Sequence, residues 1–221
     1  MIDIFDEVSD DLRAERAARM LRRYSGTLIV AAIVILFGVA GQQGWEWRQA
    51  QQNTKAANAY LAITDQITAQ GDAITNPQRT ADAQSLLSFA AAAPAGYRAI
   101  ATLRAAALYA DAGATAKAEA AWNQVADDSG ADPLLRDLAN LLWAQHELGQ
   151  APDDAVATRL APLTVPENPF HALAQETQAL LYLDEHKPDQ AKALFSQIAS
   201  DPSAPDGVRN RADGLLAKLN G

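Results

Sequence analysis

The sequence predicts an all-α protein: a single N-terminal transmembrane helix, then a solenoid of paired helices closed by a C-terminal capping helix. Three observations predict it. Hydrophobic residues make up 49% of the 221 positions while aromatics are only 6%, because alanine supplies much of the apolar share. Alanine has the best helix propensity, and β-branched residues are sparse outside one run, so helices packed through small side chains are expected. That run, within "RRYSGTLIVAAIVILFGVAGQQGWEW" from Arg22 to Trp47, is the one long apolar stretch. The third observation is an internal repeat.

Charge and cysteine content narrow the function classes. The formal charge is -9, and Trp45 to Gly221 carries 13 Lys and Arg against 21 Asp and Glu, or -8. Nucleic-acid binding is not expected of such a chain. With Cys at 0 there are no disulfides and no thiolate nucleophile, which is compatible with an oxidising compartment without requiring one.

The apolar run is the first element to justify. Its strictly apolar part, Thr27 to Gly41, is 15 residues, or roughly 22 Å of helix, short for a bilayer core of about 30 Å. From Tyr24 to Trp45 there are 22 residues, and roughly 33 Å spans. Tyr24 at one end and Trp45 and Trp47 at the other match interfacial aromatic belts, with Arg22 and Arg23 at the first interface. A signal peptide cleaved after Gly38-Val39-Ala40 is the competing reading. Against it stands a leader containing Asp3, Asp6, Glu7, Asp10, Asp11 and Glu15, where an n-region is short and basic. Arg13, Arg16, Arg19, Arg22 and Arg23 before the run outnumber Arg48 and Lys55 after it. The positive-inside rule then keeps the N-terminus in the cytoplasm and exports the body.

Four segments follow: a cytoplasmic amphipathic leader over 1–23, a transmembrane helix over 24–47, a membrane-proximal helical pair over 48–94, and repeats with a cap over 95–221. In the leader Phe5, Val8 and Leu12 recur at helical spacing. Beyond the span Ala56, Tyr60, Ile63 and Ile67 form one stripe, which Gly71 and Asn76-Pro77 are expected to end. A second helix runs to Pro94.

Sliding the chain against itself by 73 residues aligns Ala106–Ala144 with Ala179–Ala217 at 14 of 39 positions. Seven matches are alanines; the others include Leu108 with Leu181, Tyr109 with Tyr182, Gln124 with Gln197, Arg136 with Arg209 and Leu142 with Leu215. Trp122 falls on Phe195 and Val125 on Ile198. An offset of 73 is about twice the 34-residue tetratricopeptide unit, so a middle unit is expected between the copies. It reads "LANLLWAQHELGQ" then "DDAVATRLAPL", with Leu160 in the aromatic's place and Pro162 cutting the second helix short. Ala-x-x-Tyr in the first helix (Ala106 and Tyr109, Ala179 and Tyr182) and Ala-x-x-x-aromatic in the second (Ala118 and Trp122, Ala191 and Phe195) resemble a tetratricopeptide repeat. The segment 205–219 copies half a unit and reads as the cap.

The "DIFDEV" start, the arginine-rich leader, "GWEWRQ", "GYRAIATLRAAALYADAG", "DPLLRDLANLLWA" and "DPSAPDGVRNRADGLLAKL" together resemble the YfgM-like ancillary subunits of the Sec translocon, of the alphaproteobacterial type. The resemblance covers essentially the whole chain but rests on patterns of size and polarity. It implies a single-pass inner-membrane protein whose tetratricopeptide-like domain faces the periplasm. The translocon channel, periplasmic chaperones and exported chains are the implied partners.

No catalytic pattern competes. His146, His171 and His186 sit in no metal-ligand spacing, and His186 reads as a turn between helices. Phosphate loops and nucleophile elbows are absent, and the acid pairs Asp127-Asp128 and Asp153-Asp154 fall near helix ends. The expectation is a non-enzymatic scaffold with no cofactor, metal or small-molecule ligand. Alternatives are a general adaptor for assembling envelope complexes and a cleaved, soluble periplasmic protein.

A binding face follows from transferring the tetratricopeptide register, in which each first helix lines a concave groove. It selects Leu103 and Ala107, then Arg136, Ala139, Trp143 and His146, then Glu176, Leu180 and Leu183. This face suits apolar segments better than charged peptide tails. The alternative is that its leucines, and Trp143, belong to the core.

Overall fold

A computed structural model describes the backbone of residues 4–71 and 74–220 and the side chains from residue 34 on, those of 72–73 and 221 excepted. The leader 1–23, Arg22, Arg23 and Tyr24 as interface residues, and the span as far as residue 33 fall outside the described side chains. The chain divides into two units, Met1–Thr54 and Lys55–Gly221.

The first unit is the greater part of α1, a helix running Ile4–Ala69. Every described side chain from Val34 to Thr54 is exposed, with Trp45 at 72% and Trp47 at 62%. Among the described residues no helix is long and apolar enough to cross a membrane.

The second unit is built from helices in sequence. The last turns of α1 precede α2 (Asn76–Ala92), α3 (Ala95–Asp111), α4 (Thr115–Ala126), α5 (Pro133–Glu147), α6 (Asp153–Leu160), α7 (His171–Asp184), α8 (Pro188–Ser200) and α9 (Asp206–Asn220). Ala56 and Ile67 of the expected stripe are buried, and Tyr60 packs beside the rings of Phe89 and Tyr97 at 6.1 and 6.2 Å. Asn76-Pro77 opens α2 rather than closing α1. Thr75 and Gln78 form a capping box there, and a proline in the first turn forfeits no helical hydrogen bond. Pro162 ends α6 at Leu160, and a short 3-10 turn over 161–163 follows.

From α2 on, consecutive helices pack on one another, and α3, α5, α7 and α9 also meet as a row along one side. Alanine makes this closeness possible: Ala105, Ala106, Ala118, Ala139, Ala144, Ala174, Ala179, Ala191 and Ala212 are fully buried. The repeat predicts which side chains fill the interior. Trp122 and Phe195, Val125 and Ile198, Leu108 and Leu181, and Ala131 and Ala204 are buried pair by pair. Burying the larger of these, from valine to phenylalanine, contributes about 1.5–3 kcal/mol each.

The turns inside successive pairs share one backbone solution. Gly113 between α3 and α4, Gly149 between α5 and α6, and His186 between α7 and α8 have φ of 74°, 73° and 59°. Gly113 and His186 are 73 residues apart and make the same bonds: Ala114 N–H donates to the Tyr109 carbonyl at 2.8 Å, and Lys187 N–H to Tyr182 at 2.7 Å. These are left-handed helix stops that satisfy carbonyls of the last turn. His186 is thus the turn residue its position predicts.

The core falls into two clusters that share α7. One runs from Ile67 through α6 to Leu163, Ala174 and Leu181. The other gathers Ala179, Ala191, Phe195, Ile198, Val208 and Ala212.

Candidate protein-binding surface

Two polar constellations interrupt this apolar interior, and they lie in different places. One lines a pocket along the row of α5, α7 and α9; the other ties α4 to α5 and α6.

The pocket has a volume of about 380 Å³. Gln145 and Leu148 come from α5, Glu176, Thr177 and Leu180 from α7, and Arg211 and Leu215 from α9. Local structure holds these helices in place. Asp132 caps α5 by accepting from the Leu134 N–H at 2.8 Å. Asn168 pins the segment before α7 to α5, its Nδ2 donating to Asp137 Oδ2 at 2.8 Å while its Oδ1 accepts from the Phe170 N–H. Glu176 is 7% exposed and accepts two bonds from Arg211, Nε to Oε1 at 2.7 Å and Nη2 to Oε2 at 2.5 Å. The Glu176 carboxylate holds the Arg211 guanidinium above its ordinary value. Three leucines and one compensated ion pair make a mostly apolar recess with a polar lip.

The second constellation surrounds Arg159 of α6. Its guanidinium lies 3.9 Å from the centroid of the Trp143 ring and donates to Asn123 Oδ1 at 2.6 Å and to Asn140 Oδ1 at 3.3 Å. Burial pulls this guanidinium below its usual value, opposed by Asp127 and Glu119. The His146 ring lies tilted against Trp122 with centroids 5.0 Å apart, and its Nδ1 lies 2.9 Å from Oε1 of buried Glu147. Across from it Glu119 is pushed above the ordinary glutamate range, first by a hydrogen bond to Glu147, then by burial and by repulsion from that carboxylate.

The expected face is therefore divided. Glu176 and Leu180 come together in the pocket. Trp143 is 8% exposed beneath Arg159, and His146 turns toward α4, so neither lines the pocket. Leu103 is buried in the first core cluster and Leu183 packs against the second. Arg136 is half-buried, with its Nε lacking a hydrogen-bond partner among the described residues. The pocket residues that sequence reasoning missed are Gln145, Leu148, Thr177, Arg211 and Leu215. On α5 the pocket face starts at Gln145, just past Ala144 where the repeat alignment ends, so no internal copy marked it. Among the described residues no group of three or more His, Cys, Asp or Glu is placed to hold a metal.

Paired helices stacked in register, with an apolar recess on the row of first helices, define a helical-repeat protein of the kind that binds other proteins. The tetratricopeptide repeat-like domain family matches residues 19–216, and the chain belongs to it. Such domains are typically protein-interaction modules. No curated protein and no solved structure matches the chain.

Proposed function

We propose that this chain is a non-enzymatic scaffold of the inner membrane: one span anchors it, and a periplasmic repeat domain binds protein partners beside the Sec translocon, linking exported chains to chaperones. The observation that carries the reading is the apolar pocket on the α5, α7 and α9 row of a tetratricopeptide-like stack that follows a single long apolar run. The arginine excess before that run supports export of the body. The resemblance to YfgM-like subunits supports the partner. Tethering adds to affinity without new contacts, because confinement beside the channel raises effective concentration.

A photo-crosslinking residue at Leu180 or Leu215 in the full chain, followed by mass spectrometry, tests the partner. Recovery of channel subunits and chaperones is expected; their consistent absence would leave only the general adaptor of envelope assembly. Resistance to alkaline extraction tests the anchor. A mature chain beginning near Gly41 would overturn it in favour of a cleaved periplasmic protein.

A further inference from the structure

The ion pair at the lip of the pocket has no counterpart one copy earlier in the repeat. A shift of 73 residues carries Glu176 onto Leu103 and Arg211 onto Leu138. Leu103 lies in the first core cluster and Leu138 packs against it. The earlier α3–α5 pair thus carries leucines of the first core cluster at these positions, and the fold does not require a carboxylate and a guanidinium there. An ion pair in such a place carries a desolvation cost that leucines avoid.

That cost is unevenly shared. The Glu176 side chain is 9% exposed, whereas 55% of the Arg211 side chain stays open. The carboxylate is fixed in the wall, and the guanidinium covers it from the solvent side. Their two parallel bonds form the fork that any arginine makes with a carboxylate and that lysine does not. Replacing Arg211 by another arginine leaves the buried charge compensated, so an exchange meets no penalty for an unpaired ion. Leu148, Leu180 and Leu215 lie beside the fork, and the charge of -8 carried from Trp45 on favours the approach of basic segments to this body.

We propose that the pocket receives an arginine of a partner protein together with a neighbouring aliphatic side chain, and that Arg211 is the built-in occupant which that arginine displaces. This rests on the reading that the α5, α7 and α9 row binds proteins, and it names the chemistry of the partner. Arg211 sets a threshold: only segments offering both a guanidinium and apolar contact out-compete it.

The test uses the full chain in detergent and two fluorescein-labelled peptides, acetyl-Gly-Leu-Arg-Leu-Gly-amide and the same peptide with glutamine for arginine, read by fluorescence anisotropy. Arg211→Ala is expected to tighten the arginine peptide by about tenfold and leave the glutamine peptide unchanged. The paired change Glu176→Leu with Arg211→Leu, which restores the side chains of the earlier copy, is expected to keep the melting temperature and abolish the preference for arginine. Arg211→Lys keeps the charge and loses the fork, so an intermediate gain is expected even if the alanine variant folds poorly. Equal binding of the two peptides, or no tightening in either single variant, overturns the proposal. So does partner crosslinking that survives unchanged in the double-leucine chain. Arginine-selective binding in a chain that crosslinks to no translocon subunit upholds the pocket chemistry and removes only that partner.

Discussion

Replacing Trp143 by alanine separates a packed side chain from an open binding residue. The indole is 8% exposed, in the first core cluster and beneath the Arg159 guanidinium at 3.9 Å. Removing a tryptophan from such a place costs about 3–5 kcal/mol in transfer and cavity terms. Loss of the cation–π contact adds about 0.5–2 kcal/mol, its lower end applying because Arg159 keeps Asn123 and Asn140. A total near 4 kcal/mol lowers the melting temperature by roughly 8–16 °C for a unit of this size. Trp143→Phe keeps an aromatic face under the cation and is expected to lose about 1 kcal/mol. Far-UV circular dichroism melts of the full chain in detergent, with partner capture measured in parallel, provide the assay. A fall of less than about 3 °C in the alanine variant, accompanied by lost capture, would refute the packing assignment and return Trp143 to the binding face.

His186→Gly relieves a left-handed backbone position that Gly113 occupies one copy earlier, and is expected to stabilise by about 0.5–1 kcal/mol. A melting temperature that falls would show that the imidazole has another role. Glu119 binds its proton more tightly in the folded state, so its contribution is full below the ordinary glutamate range and is lost as pH rises through its raised value. Glu119→Gln should flatten the stability–pH curve over that window, and an unchanged slope in urea titrations would count against the raised value of Glu119. Phe195→Ala opens a fully buried site in the second core cluster and should cost about 3–5 kcal/mol. Hydrogen exchange should then quicken in α8 and α9 while α3 and α4 keep their protection; uniform loss would show that the two clusters unfold as one.

What the sequence made legible was whatever a local pattern encodes. Helical stripes, the proline at 162 and the matched pairs Trp122 with Phe195 and Val125 with Ile198 recur at spacings one chain can display, and the buried positions follow them. Pro77 was half legible: proline marks a boundary, and only the Thr75 cap shows which side of it the helix lies on. The pocket and the Arg159 cluster were not legible. Arg211 meets Glu176 across 35 residues and Arg159 meets Asn123 across 36, and such meetings depend on how helices rotate against each other. Trp143 and His146 fell on the expected stripe, yet their helix turns them toward α6 and α4, where the Trp143 ring face meets the Arg159 guanidinium and His146 meets the Trp122 ring and the neighbouring Glu147 carboxylate.

The arrangement of consecutive helices also bears on the order in which the molecule is made. From α3 on, each helix docks mainly on the one before it, and the side-chain bonds that join non-neighbouring helices close loops of about the length of one repeat. Topologies dominated by such short closures form quickly and ask little of distant segments. A pair can settle once the following three dozen or so residues have been delivered. Delivered from its N-terminal side, the described stack would assemble one pair at a time, and the pocket would close only when α9 follows α5 and α7 into place.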